Sequence, residues 1–526
     1  MTGPATAIAD RLPGADVLVE ETDERPVPPC VLVVFGASGD LTGRKLLPAL
    51  ARLAAARELP GRFAVVGTAR TNWSDEEFRR VALEAPSSHF DGAQEPGGDV
   101  DVAWRDVVSG FRYVTGEYDS DDTFERLATV LDEVDRLCGT EGNRVHYLAV
   151  PPSAVPTIIA ALGRHHLHRP PADAPEAFAR VVIEKPYGTD LRSAEELDRC
   201  VHEVFDEGQV FRIDHFLGKE TVQNLLALRF ANAVFEPIWN RRYVDSVQIT
   251  VAESSGIGGR AGFYEGTGAL RDMVQNHVMQ VMSLAVMEAP VSIEADGIRD
   301  EKVKALRAVE ILDVDEVPAA VVRGQYTDGW LDGRLAPGYL DEPDVDPLSS
   351  IETYVALRLF VDNWRWAGVP FYLRTGKRLP KRVSEVAIQF HCAPHLPFQP
   401  HQVRGLEPDA LVVRIHPDEG VTLVFGTKVP GTGFHVRSVA MEFLYGAAFP
   451  GPTPDPYARL LLDALAGDPT LFIRTDEVLQ AWRIVDPILT AFAKDEPPLA
   501  PYRAGSWGPL EADELLRRDG RRWRAP

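Results

Sequence analysis

Cysteine is scarce in this chain, and the few cysteines lie far apart. The 526 residues include only four, at positions 30, 138, 200 and 392, and no two of them form a Cys-x-x-Cys pair. A disulfide framework needs more cysteines at closer spacing. The sequence therefore favours a protein of a reducing compartment, and we expect it in the cytoplasm.

Long apolar runs and an excess of basic residues are also missing. No apolar stretch approaches the roughly 20 residues of a membrane-spanning helix, and residues 1–29 lack the basic-then-apolar order of a signal peptide. With 78 acidic and 55 basic residues, the net charge is −23. We therefore expect neither nucleic acid nor a membrane as a partner. An anionic substrate would need a local group of Lys, Arg and His side chains.

The chain is too long for one hydrophobic core, so two large domains are expected. In the first half, short apolar runs alternate with helical stretches, which predicts an α/β, doubly wound, Rossmann-like parallel sheet. The predicted strands are Val31–Phe35, Phe63–Gly67, Phe111–Val114, Val145–Val150, Val181–Ile183 and Val210–Ile213. The second half has closely spaced strands of alternating polarity, typical of an α+β domain with a large antiparallel sheet.

These patterns divide the chain into three parts. Residues 1–28 are predicted to be a flexible tail, residues 29–213 a Rossmann-like domain, and residues 214–526 an α+β domain. Residues 323–349, rich in Gly, Asp and Pro, are predicted to form a long surface loop. Residues 269–286 are predicted to form one long helix.

A glycine-rich turn follows the first predicted strand, with the sequence Gly36-Ala37-Ser38-Gly39-Asp40-Leu41. Such a turn lets the backbone approach a pyrophosphate at a helix N-terminus, although it also occurs as a simple tight turn. The second strand ends at Arg70, with no carboxylate before Asp75. An arginine here suits a 2′-phosphate, which favours NADP over NAD. Arg70 as a plain exposed strand end is the alternative.

Three further segments combine charged and apolar residues. Lys185-Pro186 follows a buried strand, where a lysine can serve chemistry or simply reach solvent, and an X-Pro bond can be cis. Asp214, His215 and Lys219 follow the next strand, and His215 and Lys219 share a face if the turn is helical. Asp272 and His277 lie on an apolar helix. At α-helical spacing they are about 140° apart, so they cannot both point into one small site unless the cleft wraps around the helix end.

The segments GASGDL, EKPYG, RIDHFLGKE and RDMVQNH, in this order, resemble the glucose-6-phosphate dehydrogenase family over roughly residues 30–500. The resemblance implies NADP-dependent oxidation of C1 of glucose 6-phosphate to 6-phosphogluconolactone, in a homodimer or homotetramer. It also implies that residues 29–213 form an NADP-binding domain and residues 214–526 a substrate-binding and oligomerisation domain. It implies that His277 is the general base and that Asp214 orients it. The implied substrate contacts are Lys185, His215, Lys219, Glu253, Asp272, Lys377 and Arg382. The implied coenzyme contacts are Gly36, Ser38, Gly39, Asp40, Leu41, Arg70 and Lys185.

Departures from the family pattern occur in the residues after the glycine-rich turn, Thr42-Gly43-Arg44-Lys45, and at two positions on the substrate side. Phe216 stands where the family usually has Tyr, so a phosphate contact is lost, at a cost of about 0.5–1.5 kcal/mol for a neutral hydrogen bond. Arg382, next to Lys381, replaces the second phosphate-side lysine. These changes leave three alternatives open: another phosphorylated sugar as substrate, a preference for NAD, and a catalytically silent sugar-phosphate- or NADP-binding relative. No metal is expected, because hydride transfer to nicotinamide needs none.

Overall fold

The structure of the protein, a computed structural model, describes residues 27–89, 98–449 and 454–526. The predicted flexible tail, residues 1–28, falls outside these ranges except for its last two residues. The described chain forms two large sheets with helices packed against them.

The first sheet has six strands, all parallel, in the order β3-β2-β1-β4-β5-β6. Strand β1 is apolar and buried along its whole length, as a strand covered on both faces must be. The chain order reverses between β1 and β4, and such sheets bind ligands at the carboxyl ends of the strands beside that reversal. The six strands are Cys30–Phe35, Phe63–Ala69, Arg112–Thr115, Arg144–Leu148, Ala179–Ile183 and Val210–Arg212.

Helices cover both faces of this sheet. α4 shows why they form: Leu127, Leu131 and Val134 recur at helical spacing and are buried, and Gly139 ends the helix in the left-handed conformation. α6 begins at Asp190, whose Oδ1 accepts a 2.7 Å hydrogen bond from the backbone N–H of Ser193. The helices are α1 Leu47–Ala56, α2 Asp75–His89, α3 Gly98–Ser109, α4 Asp121–Cys138, α5 Val155–Arg164 and α6 Leu191–His202.

The second sheet has nine strands in the order β16-β15-β14-β13-β7-β12-β11-β8-β17. It is largely antiparallel, as predicted, but β7 pairs parallel to β12 and β8 parallel to β17. Its strands are β7 Val244–Ala252, β8 Val321–Thr327, β11 Tyr354–Leu359, β12 Phe371–Gly376, β13 Val383–Phe390, β14 Ala410–His416, β15 Gly420–Lys428, β16 Val436–Leu444 and β17 Ala500–Arg503. The predicted fold class, a Rossmann-like domain joined to an α+β domain, is confirmed.

The predicted surface loop at residues 323–349 is wrong in its first part. Residues 321–327 form strand β8 inside the large sheet, and β9 (Gly329–Leu331) and β10 (Arg334–Ala336) form a small hairpin. Two polar side chains of this strand have hydrogen-bond partners within the fold. Arg323 Nε donates to the Pro497 carbonyl at 2.6 Å, and Gln325 Nε2 donates to the Ile351 carbonyl at 2.9 Å.

The predicted long helix at residues 269–286 has two parts. Leu270–Val278 is a π-helix, and it continues into α9, Met279–Val286. No helix in the described part of the chain is long and apolar enough to cross a membrane. The other helices of this half are α7 Glu220–Phe230, α8 Ala261–Tyr264, α10 Ala295–Arg307, α11 Val317–Ala320, α12 Tyr445–Ala448, α13 Pro456–Ala466, α14 Thr475–Phe492 and α15 Leu510–Arg517.

The chain returns to the first sheet after leaving it at β6. The Ile473 N–H donates to the Arg212 carbonyl at 3.1 Å, and Trp482 Nε1 on α14 donates to the Tyr187 carbonyl at 2.8 Å. Arg180 of β5 donates to the Leu465 carbonyl, at the end of α13, at 2.6 Å. One continuous hydrophobic core includes residues of both sheets and of α14. The late helices α13 and α14 therefore pack with the half of the molecule that contains the first sheet.

Candidate active site

The ends of two parallel strands meet the π-helix at one place in the molecule. Lys185 comes two residues after β5, and Asp214 comes two residues after β6. Neighbouring parallel strands end at the same edge of a sheet, so these side chains are brought together by the sheet itself. The π-helix supplies Asp272 and His277 from the second half. The bond between Lys185 and Pro186 is cis.

His277 and Asp214 form a buried hydrogen-bonded pair. Nδ1 of His277 lies 2.5 Å from Oδ1 of Asp214, and each side chain is 1% exposed. The same Oδ1 accepts a 2.9 Å hydrogen bond from the backbone N–H of Phe216. A carboxylate only accepts, so Nδ1 carries the proton and Nε2 is left as the proton acceptor.

The electrostatics of the pair suit a general base. Burial raises the pKa of Asp214, but the charge and hydrogen bond of His277 outweigh it and bring that pKa below its ordinary value. Burial lowers the pKa of His277, against the opposing effect of Asp214. Near neutral pH, His277 is therefore an uncharged imidazole beside an ionised carboxylate, ready to accept a proton.

Lys185 joins the π-helix to the strand end. Its Nζ donates to Oδ1 of Asp272 at 2.8 Å and to the Asp272 backbone carbonyl at 3.0 Å. Burial raises the pKa of Asp272, but Lys185 dominates and brings it down to about 2. Both Asp272 and Lys185 influence the charge of His277. The three groups thus surround one small volume.

The π-helix overturns the expectation that Asp272 and His277 are too far apart around a helix to share a site. That expectation assumed 3.6 residues per turn. In a π-helix, hydrogen bonds join residues five apart, so positions 272 and 277 lie close to the same face. The regular α-helical period was the wrong assumption at this one segment.

Two further predicted substrate residues lie at the end of a parallel strand pair in the large sheet. Glu253 follows β7 and Lys377 follows β12. Lys377 Nζ donates to Oε2 of Glu253 at 2.6 Å, and Lys377 is buried whereas Glu253 is partly exposed. This pair can hold neutral polar groups such as sugar hydroxyls, because its charges compensate each other.

A second cationic group, near the base, includes Lys219 and Arg382. Burial and, next, Arg382 lower the pKa of Lys219 to about 8, so the ammonium remains charged at neutral pH. Arg382 itself is exposed, at the start of β13. Burial and the nearby His277 bring the pKa of His215 well below its ordinary value, so His215 is neutral. His215 to Gly218 form a turn that leads into α7.

Phe216, where the resemblance implied only a missing hydroxyl, makes direct contact with the base. Its ring stacks on the imidazole of His277, with centroids 4.5 Å apart and planes at 19°. The Nζ of Lys219 lies 3.7 Å from the centroid of the same ring. The His215 ring meets His277 edge-on, at 4.5 Å and 80°.

Three residues near the pair were not predicted from the sequence. Tyr147 on β4 donates to Oε1 of Glu184 at 2.5 Å, and burial raises the pKa of Glu184 to about 7. Tyr457 on α13 stacks with His215 at 6.2 Å and 11°. Glu184 could have been found, because it lies inside the EKPYG segment beside Lys185. Tyr457 lies more than 200 residues away, and nothing in its own segment marks it.

The glycine-rich turn has the shape that a pyrophosphate requires. Gly36 has φ of +85°, and a Cβ there would lie 2.1 Å from the Ala149 carbonyl oxygen. The Gly39 N–H donates to the Gly36 carbonyl at 2.8 Å. Gly39 and Asp40 are exposed and Leu41 is partly exposed, while the side chain of Asp40 pairs with Arg44 at 2.6 Å. The turn is therefore open to a ligand.

The end of β2 lies beside this turn. Ser38 Oγ and Thr71 Oγ1 are 2.8 Å apart, which places Arg70 next to the glycine-rich segment. Arg70 is exposed. An exposed arginine and the Thr71 hydroxyl after the second strand, beside the Ser38 hydroxyl of the turn, fit a 2′-phosphate better than a free ribose hydroxyl. The residues present therefore fit NADP.

Asp214, His215 and His277 also have ligand atoms within 4.8 Å of one another, a spacing that could hold a metal ion. Nδ1 of His277 is already occupied by its hydrogen bond to Asp214. The arrangement is explained by the proton-accepting pair.

Comparison with known proteins supports the fold. The sequence model described as "Glucose-6-phosphate dehydrogenase, NAD binding domain" matches residues 33–224, and "Glucose-6-phosphate dehydrogenase, C-terminal domain" matches residues 226–524. "Glucose-6-phosphate 1-dehydrogenase 2" of Mycobacterium tuberculosis is 49% identical over 498 residues, 95% of both chains.

Two solved structures have the same fold. One, titled "Glucose-6-phosphate dehydrogenase in complex with its substrate glucose-6-phosphate", superposes with a TM-score of 0.85 at 33% identity, covering 95% of this chain and 99% of that one. Glucose-6-phosphate 1-dehydrogenase from Mycobacterium avium superposes with a TM-score of 0.79 at 36% identity, with the same coverage. The resemblance stated from the motifs is confirmed: the chain belongs to the glucose-6-phosphate dehydrogenase family.

Proposed function

We propose that this protein oxidises C1 of D-glucose 6-phosphate to 6-phospho-D-glucono-1,5-lactone, with NADP as the hydride acceptor. The observation that carries the proposal is the buried pair of His277 and Asp214, which leaves Nε2 as a base at the meeting point of the two halves. The relatives named above have this activity in their names, and one of them was solved with this substrate.

In this mechanism, His277 Nε2 takes the proton of the C1 hydroxyl. Asp214, already ionised, stabilises the imidazolium that forms and keeps the ring in one orientation through Nδ1. Bound NADP supplies the acceptor for the hydride that leaves C1. Because the pair is buried, its electrostatic effect is stronger than it would be in water.

The residues around the base bind different parts of the substrate. Lys219 and Arg382 hold the phosphate, with neutral His215 as a hydrogen-bonding partner. Glu253, Lys377 and Asp272 bind the sugar hydroxyls. Lys185, tied to Asp272, stands between sugar and coenzyme. This local group of cations overcomes the net charge of −23 of the whole chain.

The coenzyme is held by the glycine-rich turn after β1 and by the residues that follow β2. The backbone of Gly36 to Leu41 receives the pyrophosphate, with Ser38 beside it. Arg70 binds the 2′-phosphate that distinguishes NADP from NAD.

The test is the absorbance of reduced nicotinamide with purified protein, glucose 6-phosphate, and NADP or NAD in turn. We expect turnover with NADP, and loss of turnover in His277→Asn. His395→Asn, at an exposed histidine, is the matched control and should keep full activity. No turnover with glucose 6-phosphate, together with turnover of another sugar phosphate, would contradict the proposed substrate.

We also propose that the protein is a homodimer or homotetramer. Strand β16 is an edge of the large sheet, and Val439, Met441 and Phe443, which alternate onto one face, are 39%, 59% and 40% exposed. An exposed apolar sheet face of this kind marks a contact between proteins. Light scattering after gel filtration tests it: Met441→Glu should reduce the mass, and a monomeric parent protein would contradict the proposal.

The cytoplasm is the proposed compartment. All four cysteines are free in the structure, as suits a reducing environment. Cell fractionation with an antibody to this protein tests it, and recovery in a membrane or secreted fraction would contradict it.

A further inference from the structure

The side chain of Phe216 contacts both the base and the phosphate-side lysine. Its ring stacks on His277 at 4.5 Å, and Lys219 Nζ lies 3.7 Å from the same centroid. The ring of Phe216 is 4% exposed, and the backbone N–H of this residue donates to Asp214 Oδ1. Packing therefore holds the ring, and a hydrogen bond holds the backbone. The base and the phosphate site are therefore in contact through one aromatic ring.

An aromatic face attracts cations, with an effect of about 0.5–1 kcal/mol when exposed and about 2 kcal/mol when desolvated. In the protein without substrate, the face of Phe216 attracts the Lys219 ammonium. The positive charge of this ammonium then disfavours a second cation near the ring. When His277 takes a proton, its imidazolium is that second cation. A phosphate dianion on Lys219 removes the opposition, because it neutralises the ammonium.

We propose that Phe216 is a positioning residue that couples phosphate binding at Lys219 to proton acceptance at His277. The base becomes a better proton acceptor when the phosphate is in place, and so the substrate's phosphate contributes to the chemical step as well as to binding. This inference rests on the proposed function, in which His277 is the base and Lys219 binds the phosphate.

The other charged groups around the two residues do not replace this link. His277 also faces Asp214, Lys185, Asp272 and neutral His215. Of these, Asp214 and the Lys185–Asp272 pair are fixed by hydrogen bonds within the protein. Lys219 also faces Arg382, Asp214 and Glu419. The ring of Phe216 is what the described structure places in contact with both residues.

The test is an NMR titration of the His277 imidazole, assigned by its absence in His277→Asn and recorded without coenzyme so that no reaction occurs. We expect glucose 6-phosphate to raise the pKa of His277 by about 0.5–1.5 pH units. Inorganic phosphate alone should also raise it, whereas glucose, which lacks the charge, should leave it unchanged.

Two variants separate the ring from simple packing. Phe216→Leu keeps an apolar side chain without a π face, so the rise should fall to less than half. Phe216→Tyr keeps the face and should retain the rise. In turnover, Phe216→Leu should lose kcat by roughly 2- to 30-fold, from the size of a cation–π contact.

A rise of full size in Phe216→Leu would overturn this inference and leave the proposed function intact. If glucose 6-phosphate at millimolar concentration changed no resonance of the parent protein, the proposed function would fall, and this inference with it. Thermal unfolding of both variants shows that each is folded before titration.

Discussion

Asp214 and His277 are 63 residues apart in sequence and are joined by a 2.5 Å hydrogen bond, with each side chain 1% exposed. In Asp214→Asn the amide can donate to Nδ1, which favours the tautomer that has its proton on Nε2. The base would then face the substrate with a proton already in place. We expect kcat to fall by about a hundred- to ten-thousand-fold, with little change in KM.

Steady-state kinetics with glucose 6-phosphate measure this loss. Asp106→Asn, on the exposed surface of α3, is the control and should behave as the parent protein. Retention of more than a tenth of kcat in Asp214→Asn would show that His277 does not depend on Asp214 for its orientation.

The lowered pKa of Lys219 predicts that glucose 6-phosphate is bound less well at alkaline pH. Its pKa is lowered to about 8, first by burial and then by Arg382, so its charge disappears as pH rises through about 8 rather than above 10. Because only the charged form holds a phosphate strongly, kcat/KM for glucose 6-phosphate should fall above this pH. In Lys219→Arg the guanidinium stays charged. The decline should then move to higher pH, and an unmoved decline would assign it to another group.

Arg70 predicts the choice of coenzyme. Removing a charge-assisted contact to the 2′-phosphate costs about 1.5–3 kcal/mol, which raises KM for NADP by roughly 10- to 150-fold. In Arg70→Ala, KM for NAD should change little, because NAD has no phosphate at that position. Arg105→Ala, at an exposed arginine of α3, is the matched control. Equal losses with NADP and NAD would contradict the proposed role.

The structure leaves no room for a side chain at position 36. A Cβ would lie 2.1 Å from the Ala149 carbonyl oxygen, and φ is +85°. Gly36→Ala should therefore lose about 1–3 kcal/mol of stability and weaken NADP binding. Gly43→Ala is the control, because no heavy atom lies within 4 Å of a Cβ there. Thermal unfolding with and without NADP measures both effects, and equal Tm values for the two variants would contradict this account.

The parallel half of the fold was predictable because short apolar runs, alternating with helical stretches, mark its strands. Strand β1 was predicted as Val31–Phe35 and is Cys30–Phe35, and β6 was predicted as Val210–Ile213 and is Val210–Arg212. Lys185 follows β5 and Asp214 follows β6, so half of the site followed from the sheet. Strand β8 was not predicted, because it contains the polar residues Arg323 and Gln325. Their hydrogen-bond partners are backbone carbonyls outside the strand, which the local sequence does not reveal.

The rest of the site depends on contacts that a local pattern does not contain. The π-helix changes which residues share a face, and no residue type in Leu270–Val278 announces it. The stack of Phe216 on His277 requires two segments about 60 residues apart. Tyr457 reaches His215 only because α13 returns to the first sheet. The roles of the predicted site residues, and the domain boundary at residue 213, remain predictions.

The return of the chain to the first sheet has a consequence for synthesis on the ribosome. The hydrogen-bond partners of Arg212 and Tyr187 are synthesised later: Ile473 and Trp482 lie about 260–300 residues further along the chain. At about 5–20 residues per second, that interval is roughly 13–60 seconds. During this time the nascent coenzyme-binding half exposes the apolar surface that α14 later covers. The newborn chain thus has a period in which a chaperone or a neighbouring chain can occupy that surface first.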